Sequence, residues 1–428
     1  MINIKSISII LLCAFSFFLP ISQKASTFLL FPLALSALFQ IKEAKFTLPS
    51  LLLVSLYFLY LISVFSTKQV DLNVLERKAS LIVFPFIFSV ISIDRQNLNR
   101  IFKYFVIGCF LSVLICEAQA VYHTIESSSV VIKSPKDASI TTYESIIIDK
   151  NRLFSFNFSI LHQAVYFSIY LIFALVLLVY NKVFQNNKIR LVLTGVFLLA
   201  IFQVLNKASF VVLFLIVLVA IKRSQRTPPY SKKQSLLLIL TLILFISNPR
   251  LKNVYNSTFF LDESKMEVKD FNEIKNINPN DFNFRVMLWS SSLDIIKKNP
   301  FFGVGASVSS ERLNEVFAVK RQWYDKSERY HAHNQFLQII LDIGIVGFIV
   351  FLALLFSFWP SKLKKSPMKL IIINFGIILI INFMFESMFE RYSGLSFFCF
   401  FFCVFTNFCK NATSILKQES VPSKLFKI

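Results

Sequence analysis

The sequence has almost nothing with which to cross-link itself or to hold a metal. Its six cysteines, Cys13, Cys109, Cys116, Cys399, Cys403 and Cys409, fall inside or at the edges of apolar runs. They show neither a disulfide framework nor metal-ligand spacing. Cys399 and Cys403 stand four apart in a Phe-rich run, where lipid-facing packing is the expectation. No Asp-x-Asp-like pair stands out in the connectors, and no internal repeat is visible. No small-residue cleavage site follows the first apolar run, which therefore reads as an uncleaved helix rather than a signal peptide. Acidic residues are scarce as well: 24 Asp and Glu against 45 Lys and Arg, a formal net charge of +21.

So large a positive charge would suggest nucleic acid, but its distribution argues otherwise. With the N-terminus inside, Lys5, Lys42, Lys45, Arg95, Arg100, Lys103, Lys188, Arg190 and the 222–233 cluster lie in inner connectors. The short outer connectors hold only Lys24, Lys68, Arg77, Lys78, Lys207 and Arg391. This asymmetry follows the positive-inside rule and predicts that both termini are cytoplasmic. No basic-aromatic surface is left over to bind nucleic acid.

What the chain does have is apolar length. Hydrophobic residues make up 55% of 428, with 51 phenylalanines. Apolar runs of roughly 17–25 residues are long enough to cross a bilayer. Apolar runs recur at 4–22, 26–41, 48–66, 79–93, 101–122, 161–180, 189–205, 208–221, 235–247, 335–358, 368–385 and 394–409. Several are short for a full crossing: 79–93 and 208–221 are expected to tilt little, thin the bilayer or re-enter. The expected fold is all-α: a polytopic integral membrane protein of about twelve transmembrane helices. Two connectors, 123–160 and 248–334, are long, and both are expected outside. The second has near-balanced charge and is too long to lack elements of its own. Within it, "NFRVMLWSSSLDIIKKNPFFGVG" predicts an amphipathic helix capped by Asn283. Its apolar positions are Phe284, Leu288 and Ile295, and Asn299-Pro300 ends it. Gly303 and Gly305 then permit a tight turn. The helix is expected to lie on the outer membrane face or to cap the bundle. The chain divides into N-terminal helices with the first long loop, 1–160, and a membrane core at 161–428 that includes loop 248–334.

The polar residues concentrate in "RYHAHNQFLQIILDIGIVGFIVFLALLF", from Arg329 to Phe356. His331, Gln335, Gln338 and Asp342 recur at helical spacing and predict one polar face pointing into the bundle, lining a cavity. A carboxylate at mid-membrane costs about 2.5–3.5 kcal/mol on the gentlest scale, so Asp342 calls for a reason. His333 and Asn334 stand at the helix start, whose partial positive charge keeps an imidazole neutral and able to accept a proton. Gly344 and Gly347 would let another helix approach closely. The bland alternatives are a solvated interfacial histidine and an aspartate that only bonds a neighbouring helix.

These stretches together resemble the core signature of the O-antigen ligase and O-antigen polymerase superfamily. The residues that carry the resemblance are Arg285, Trp289, Pro300, Gly303, Gly305, His333, Asn334, Gly344 and Gly347. "LHQAVYFSIY" is similar to a His-Pro-x-Tyr segment at His162 and Tyr166, with Gln163 in place of the proline. "LNKASFVVL" places Lys207 where an arginine is expected, and "FESMFERYSG" supplies Glu386 and Glu390. The resemblance implies a glycosyltransferase of the polytopic C-type fold. Such an enzyme moves a glycan from an undecaprenyl-pyrophosphate carrier to a hydroxyl at the outer face of the bacterial inner membrane. The acceptor is lipid A–core in the ligase branch, a carrier-linked glycan in the polymerase branch, and Ser or Thr in the protein-glycosylating branch. A base near the hydroxyl and fixed cations near the leaving pyrophosphate are the chemical needs. His333 is the expected base. Arg285, through its bidentate fork, and Lys207, as a point charge, are the expected pyrophosphate ligands. Asn334, His162, Tyr166, Gln338, Asp342 and Glu386 are expected to support the site or position substrate. No metal or other cofactor is expected. A transporter of lipid-linked glycan is the rival from another class, disfavoured by the lack of repeats and of broken helices.

Overall fold

The computed structural model describes residues 4–131, 153, 157–181, 183–204, 206–224, 282–321, 329–358 and 366–419. Regular structure among them is entirely helical. The N-terminal part contains α1 (Ile4–Phe18), α2 (Gln23–Leu38), α3 (Leu48–Phe65), α4 (Leu72–Lys78), α5 (Ser80–Val90) and α6 (Arg95–Val131). Next come α7 (Ala164–Tyr180), α8 (Asn187–Val204) and α9 (Lys207–Ser224). Last are α10 (Phe282–Lys298), α11 (Ser309–Arg321), α12 (Gln335–Ser357), α13 (Pro367–Phe385) and α14 (Tyr392–Glu419). Six of these, α3, α6, α8, α12, α13 and α14, are long and apolar enough to cross a membrane. Shorter apolar helices cover α1, α7 and Ala208–Val219 within α9. The chain is a polytopic α-helical membrane protein. The span expected at 235–247 lies outside the described residues. α6 runs on to Val131, past the end expected near 122.

α7 is apolar on every side and almost wholly buried, as a helix surrounded by other helices must be. It packs on α6, α8, α9 and α13. α14 is a second central helix. Phe397, Phe398, Phe400, Phe401, Phe402 and Phe405 are buried, with edge-to-face partners such as Phe173 at 4.6 Å from Phe401 and Phe105 at 4.9 Å. Ring edges on ring faces suit the aromatic quadrupole. The lipid-facing setting expected for Cys399 and Cys403 is therefore wrong: both are buried in this core. A Phe-rich run has no polar face by which sequence alone could separate lipid from protein.

A second, smaller core forms at one end. Phe284, Leu288 and Ile295 of α10 meet Leu313 and Phe317 of α11, with Ala332 and Leu341 beneath. The amphipathic helix thus caps the bundle. It starts at Phe282, so Asn283 lies inside it and is not its cap.

α12 is not continuous, so the expected lack of broken helices, one ground for disfavouring a transporter, does not hold. Gly344 adopts φ +69°, a left-handed conformation that glycine alone adopts cheaply, and the helix breaks there. The freed backbone groups are taken by the loop after α10. Ile345 N–H donates to Pro300 O at 2.9 Å, and Val304 N–H donates to Leu341 O at 2.8 Å. A Cβ on Gly344 would strike Phe301 O, and one on Gly303 would strike Leu341 O. The glycines expected to admit a neighbouring helix therefore act differently. Gly344 admits a loop, and the space at Gly347 is filled by Ile343 of its own helix. The clasp ties α10 to α12 at a fixed register.

Candidate active site

The helix starts of α2, α7, α9, α12 and α14 and the end of α13 converge under α10 on a cavity of about 680 Å³. Three of the chain's four histidines line it: His162, His331 and His333. Arg285, Arg329, Arg391, Glu386, Asn206 and Gln23 share the wall.

His333 precedes the cap of α12 and is the one non-glycine residue at positive φ (45°) among the described residues. Such a conformation costs on the order of 1–3 kcal/mol and persists only where the surroundings impose it. Its Nδ1 lies 3.3 Å from Glu386 Oε2. Burial alone would raise the Glu386 carboxyl, but the hydrogen bond and charge of His333, with Arg285 and His331, outweigh it and hold the group below its usual range. An ionised carboxylate can only accept, so His333 donates to it through Nδ1–H, which leaves Nε2 as the ring nitrogen that Glu386 does not engage.

Arg285 comes from the first turns of α10. Burial pulls its guanidinium down from its usual value and Glu386 restores part of that. Its Nε is buried without a hydrogen-bond partner, as are His162 Nε2 and Asn206 Nδ2. Burial likewise lowers His331, and lowers His162 to about 4 against the pull of the Pro20 and Leu19 carbonyls. His162 Nδ1 is 3.0 Å from Ser393 Oγ, which links α7 to α14. Unpaired buried donors cost free energy, so their gathering on one cavity wall points to an acceptor-rich ligand.

The remaining expected residues fall elsewhere. Asn334 caps α12, its Oδ1 accepting from Phe336 and Leu337 N–H at 3.0 and 3.1 Å. Lys207 opens α9 beside cavity-lining Asn206, and its side chain lies outside the described residues. Tyr166 is buried one turn into α7 with its hydroxyl unpartnered, and is not part of the cavity lining. The expected polar face of α12 does not line the cavity, and His331 is not on it because the helix starts at Gln335. Gln335, Gln338 and Asp342 are buried instead. Gln338 Oε1 accepts from Ala332 N–H, between the two histidines, and its Nε2 donates to Asp342 Oδ1, both at 2.9 Å. Gln335 Oε1 accepts from Phe389 N–H at 2.7 Å.

Three residues escaped the sequence reading. Arg329 and Arg391 line the cavity. Lys78, which reads as an outer-loop lysine, is fully buried. It pairs with Glu390, donates to Phe389 O at 2.8 Å and sits 4.8 Å from the Tyr60 ring centre. The one visible signal was the opposite sign of Lys78 and Glu390, 312 residues apart.

Residues 191–352 match the family model described as O-antigen ligase. That stretch includes Arg285, His333 and Gly344 and ends before Glu386. The chain is also 25% identical over 290 residues to the O-antigen ligase of Escherichia coli (strain K12), covering 64% of this chain and 65% of that protein. The alignment thus spans just under two thirds of that relative's length. The signature residues, the family match over 191–352 and the similarity to this relative all point to the O-antigen ligase superfamily.

Proposed function

We propose that the protein is a glycosyltransferase that moves a glycan from an undecaprenyl-pyrophosphate carrier to a hydroxyl of lipid A–core. The observation that carries this reading is the His333–Glu386 pair on a cavity wall shared with Arg285, Arg329 and Arg391. His333 Nε2 takes the proton of the acceptor hydroxyl. The hydroxyl oxygen bonds to the anomeric carbon as the bond from that carbon to the pyrophosphate oxygen breaks. The pyrophosphate leaves with the electron pair, and its growing charge is met by the guanidinium groups. The chemistry asked of a metal is then supplied by fixed cations. Lys207, at the start of α9, adds a further charge on this reading.

Orientation follows from charge. The cavity end carries few lysines in its short connectors. The opposite end gathers Lys5, Lys42, Lys45, Arg95 and Arg100, and the positive-inside rule makes it cytoplasmic in a bacterial inner membrane. The cavity then faces the periplasm. Cysteines introduced at Lys68 and at Lys42 test this, since only the former should react with an impermeant reagent in intact cells.

The activity test is transfer in vitro from carrier-linked glycan to lipid A–core, a second carrier-linked glycan or a peptide, with and without chelator. Transfer to lipid A–core that survives chelation is expected. Transfer to carrier-linked glycan alone would make the protein a polymerase instead. Carrier flipping without transfer would make it a transporter.

A further inference from the structure

On the far side of α10 from the cavity lies a larger groove of about 1140 Å³. Its walls are the second half of α10, the Asn299–Gly305 loop, one face of α11 and the turn after α3. Two features of this groove have no part in the chemistry above.

The first is apolar. Phe302, which lines the groove, is 77% exposed, and its chain neighbour Phe301 is 65% exposed. Their loop is clasped to α12 at Leu341–Val346, so it lies beside Gly344, nine residues into the helix. At 1.5 Å per residue that is roughly 13 Å below the helix start. Val346, whose N–H reaches Phe301 O, and Ile349 one turn on along α12 are also exposed, at 37% and 60%. Irregular backbone survives at membrane depth where its polar groups are paired, and the clasp pairs them.

The second is charge. Lys320 pairs with Asp294 at 2.7 Å and Arg312 with Glu315 at 3.0 Å. The remaining charged groups lining the groove are Lys68, Lys297 and Lys298 against Glu311, and Lys297 and Lys298 also act on the Asp294 that Lys320 already pairs, so positive charge is in excess. Lys297 and Lys298 also suit the C-terminus of α10, where positive charge complements the helix dipole. That accounts for two lysines. It leaves unexplained Lys68 on a different element and the exposed Phe302 in the same groove, next to exposed Phe301.

We propose that this groove binds an anionic phospholipid of the surrounding membrane. Its phosphate sits among Lys68, Lys297 and Lys298, and its acyl chains lie against Phe301 and Phe302. A free anion would account for the lysines alone. A lipid accounts for both features, since the cations stand at the rim and the rings lie toward the hydrocarbon. Such a lipid would hold the α10–α11 cap to the bilayer surface.

The test is made on the full-length protein. Native mass spectrometry from detergent should show phosphatidylglycerol retained several-fold more than phosphatidylcholine. That preference should be lost in the Lys68→Gln/Lys297→Gln/Lys298→Gln variant. Phe302→Trp, at an exposed position, reports independently in nanodiscs. Brominated phosphatidylglycerol should quench it more than brominated phosphatidylcholine, while glycerol phosphate leaves it unchanged. Equal retention of the two lipids, or a preference that survives the triple variant, overturns the proposal. So does quenching by aqueous iodide but not by bromolipid, which would mean the groove faces water. Protection from both quenchers would mean a protein covers it, and that also overturns the proposal.

Discussion

Two polar clusters lie at the same end of the bundle, and they are built in opposite ways. In the lower one, Lys78, Glu390, Asp342 and Gln338 are buried and matched to one another or to backbone. In the upper one, His333 holds a strained backbone, and Arg285, His162 and Asn206 present buried donors without partners around a void. Matched charge inside a protein fixes geometry. Unmatched donors on a cavity wall are a cost that a ligand removes. The difference separates scaffold from site without any appeal to which residues are more unusual.

The sharpest way to break this comparison is to remove His333, the proposed base. His333→Ala should reduce transfer by roughly 10²–10⁴-fold, the usual worth of general-base help, in protein that still folds, though with a lower melting temperature because buried Glu386 loses its partner. Single-turnover assays on monodisperse protein decide it, and near wild-type turnover would end the mechanism. The lower cluster should fail in the reverse manner. Lys78→Met leaves Glu390 buried and unpaired, a change that costs about 3–5 kcal/mol, so folded yield should collapse. Lys78→Met with Glu390→Leu removes both charges and should recover most of that yield. If it does not, Lys78 has a task beyond the pair.

Arg285→Ala should lower kcat by roughly 10²–10³-fold, in the range measured when one donor to a developing anion is removed. Arg285→Lys should fall between, because the charge stays and the fork is lost. An unchanged kcat with a raised KM would make Arg285 a binding residue only.

Glu386 gives a pH signature whose sign is fixed. Its carboxyl is held below the usual range in the folded protein. Its stabilising contribution is therefore full above the unfolded value, about 4.3, and disappears as pH falls through the depressed folded value. The melting-temperature gap between wild type and Glu386→Gln should stay flat from about pH 8 to about pH 5 and close below about pH 4. Burial of His162, which does not interact with Glu386, acts on both proteins alike and cancels in the gap. A gap that closes near neutral pH would mean that His333 and Arg285 do not hold Glu386 ionised.

Much of this was legible in the residues, for physical reasons. Apolar length marks most of the helices, and helical spacing of Phe284, Leu288 and Ile295 marks the cap. Arg285 and His333 stand out as polar groups beside apolar runs, and both line the cavity. What could not be read was pairing at long range. Lys78 reads as a loop lysine until Glu390 is brought to it. Gly344 reads as a packing notch until Pro300 and Phe301 fill the break. The face built from Gln335, Gln338 and Asp342 was periodic as expected, but periodicity does not say whether the partner is a cavity or a wall. Here it is a wall of backbone amides and buried charge.

Asn334 offers the smallest and most discriminating test. It stands next to the base and reads as a substrate contact, yet its Oδ1 accepts from two N–H groups of α12 and its Nδ2 donates to Met384 O at 3.2 Å. Each bond ties α12 to itself or to the end of α13, and none is directed at the cavity. Replacing such a cap by Ala costs about 1 kcal/mol, so Asn334→Ala should lower the melting temperature modestly. Transfer per folded molecule should stay within about twofold, since the chemical step loses no group that assists it. Ser is a good cap but too short to reach Met384, so Asn334→Ser should restore most of the lost stability. If Asn334 instead touched the substrate, Ser would restore stability and leave transfer impaired. Measuring melting temperature and turnover on the same preparations of both variants separates the two roles.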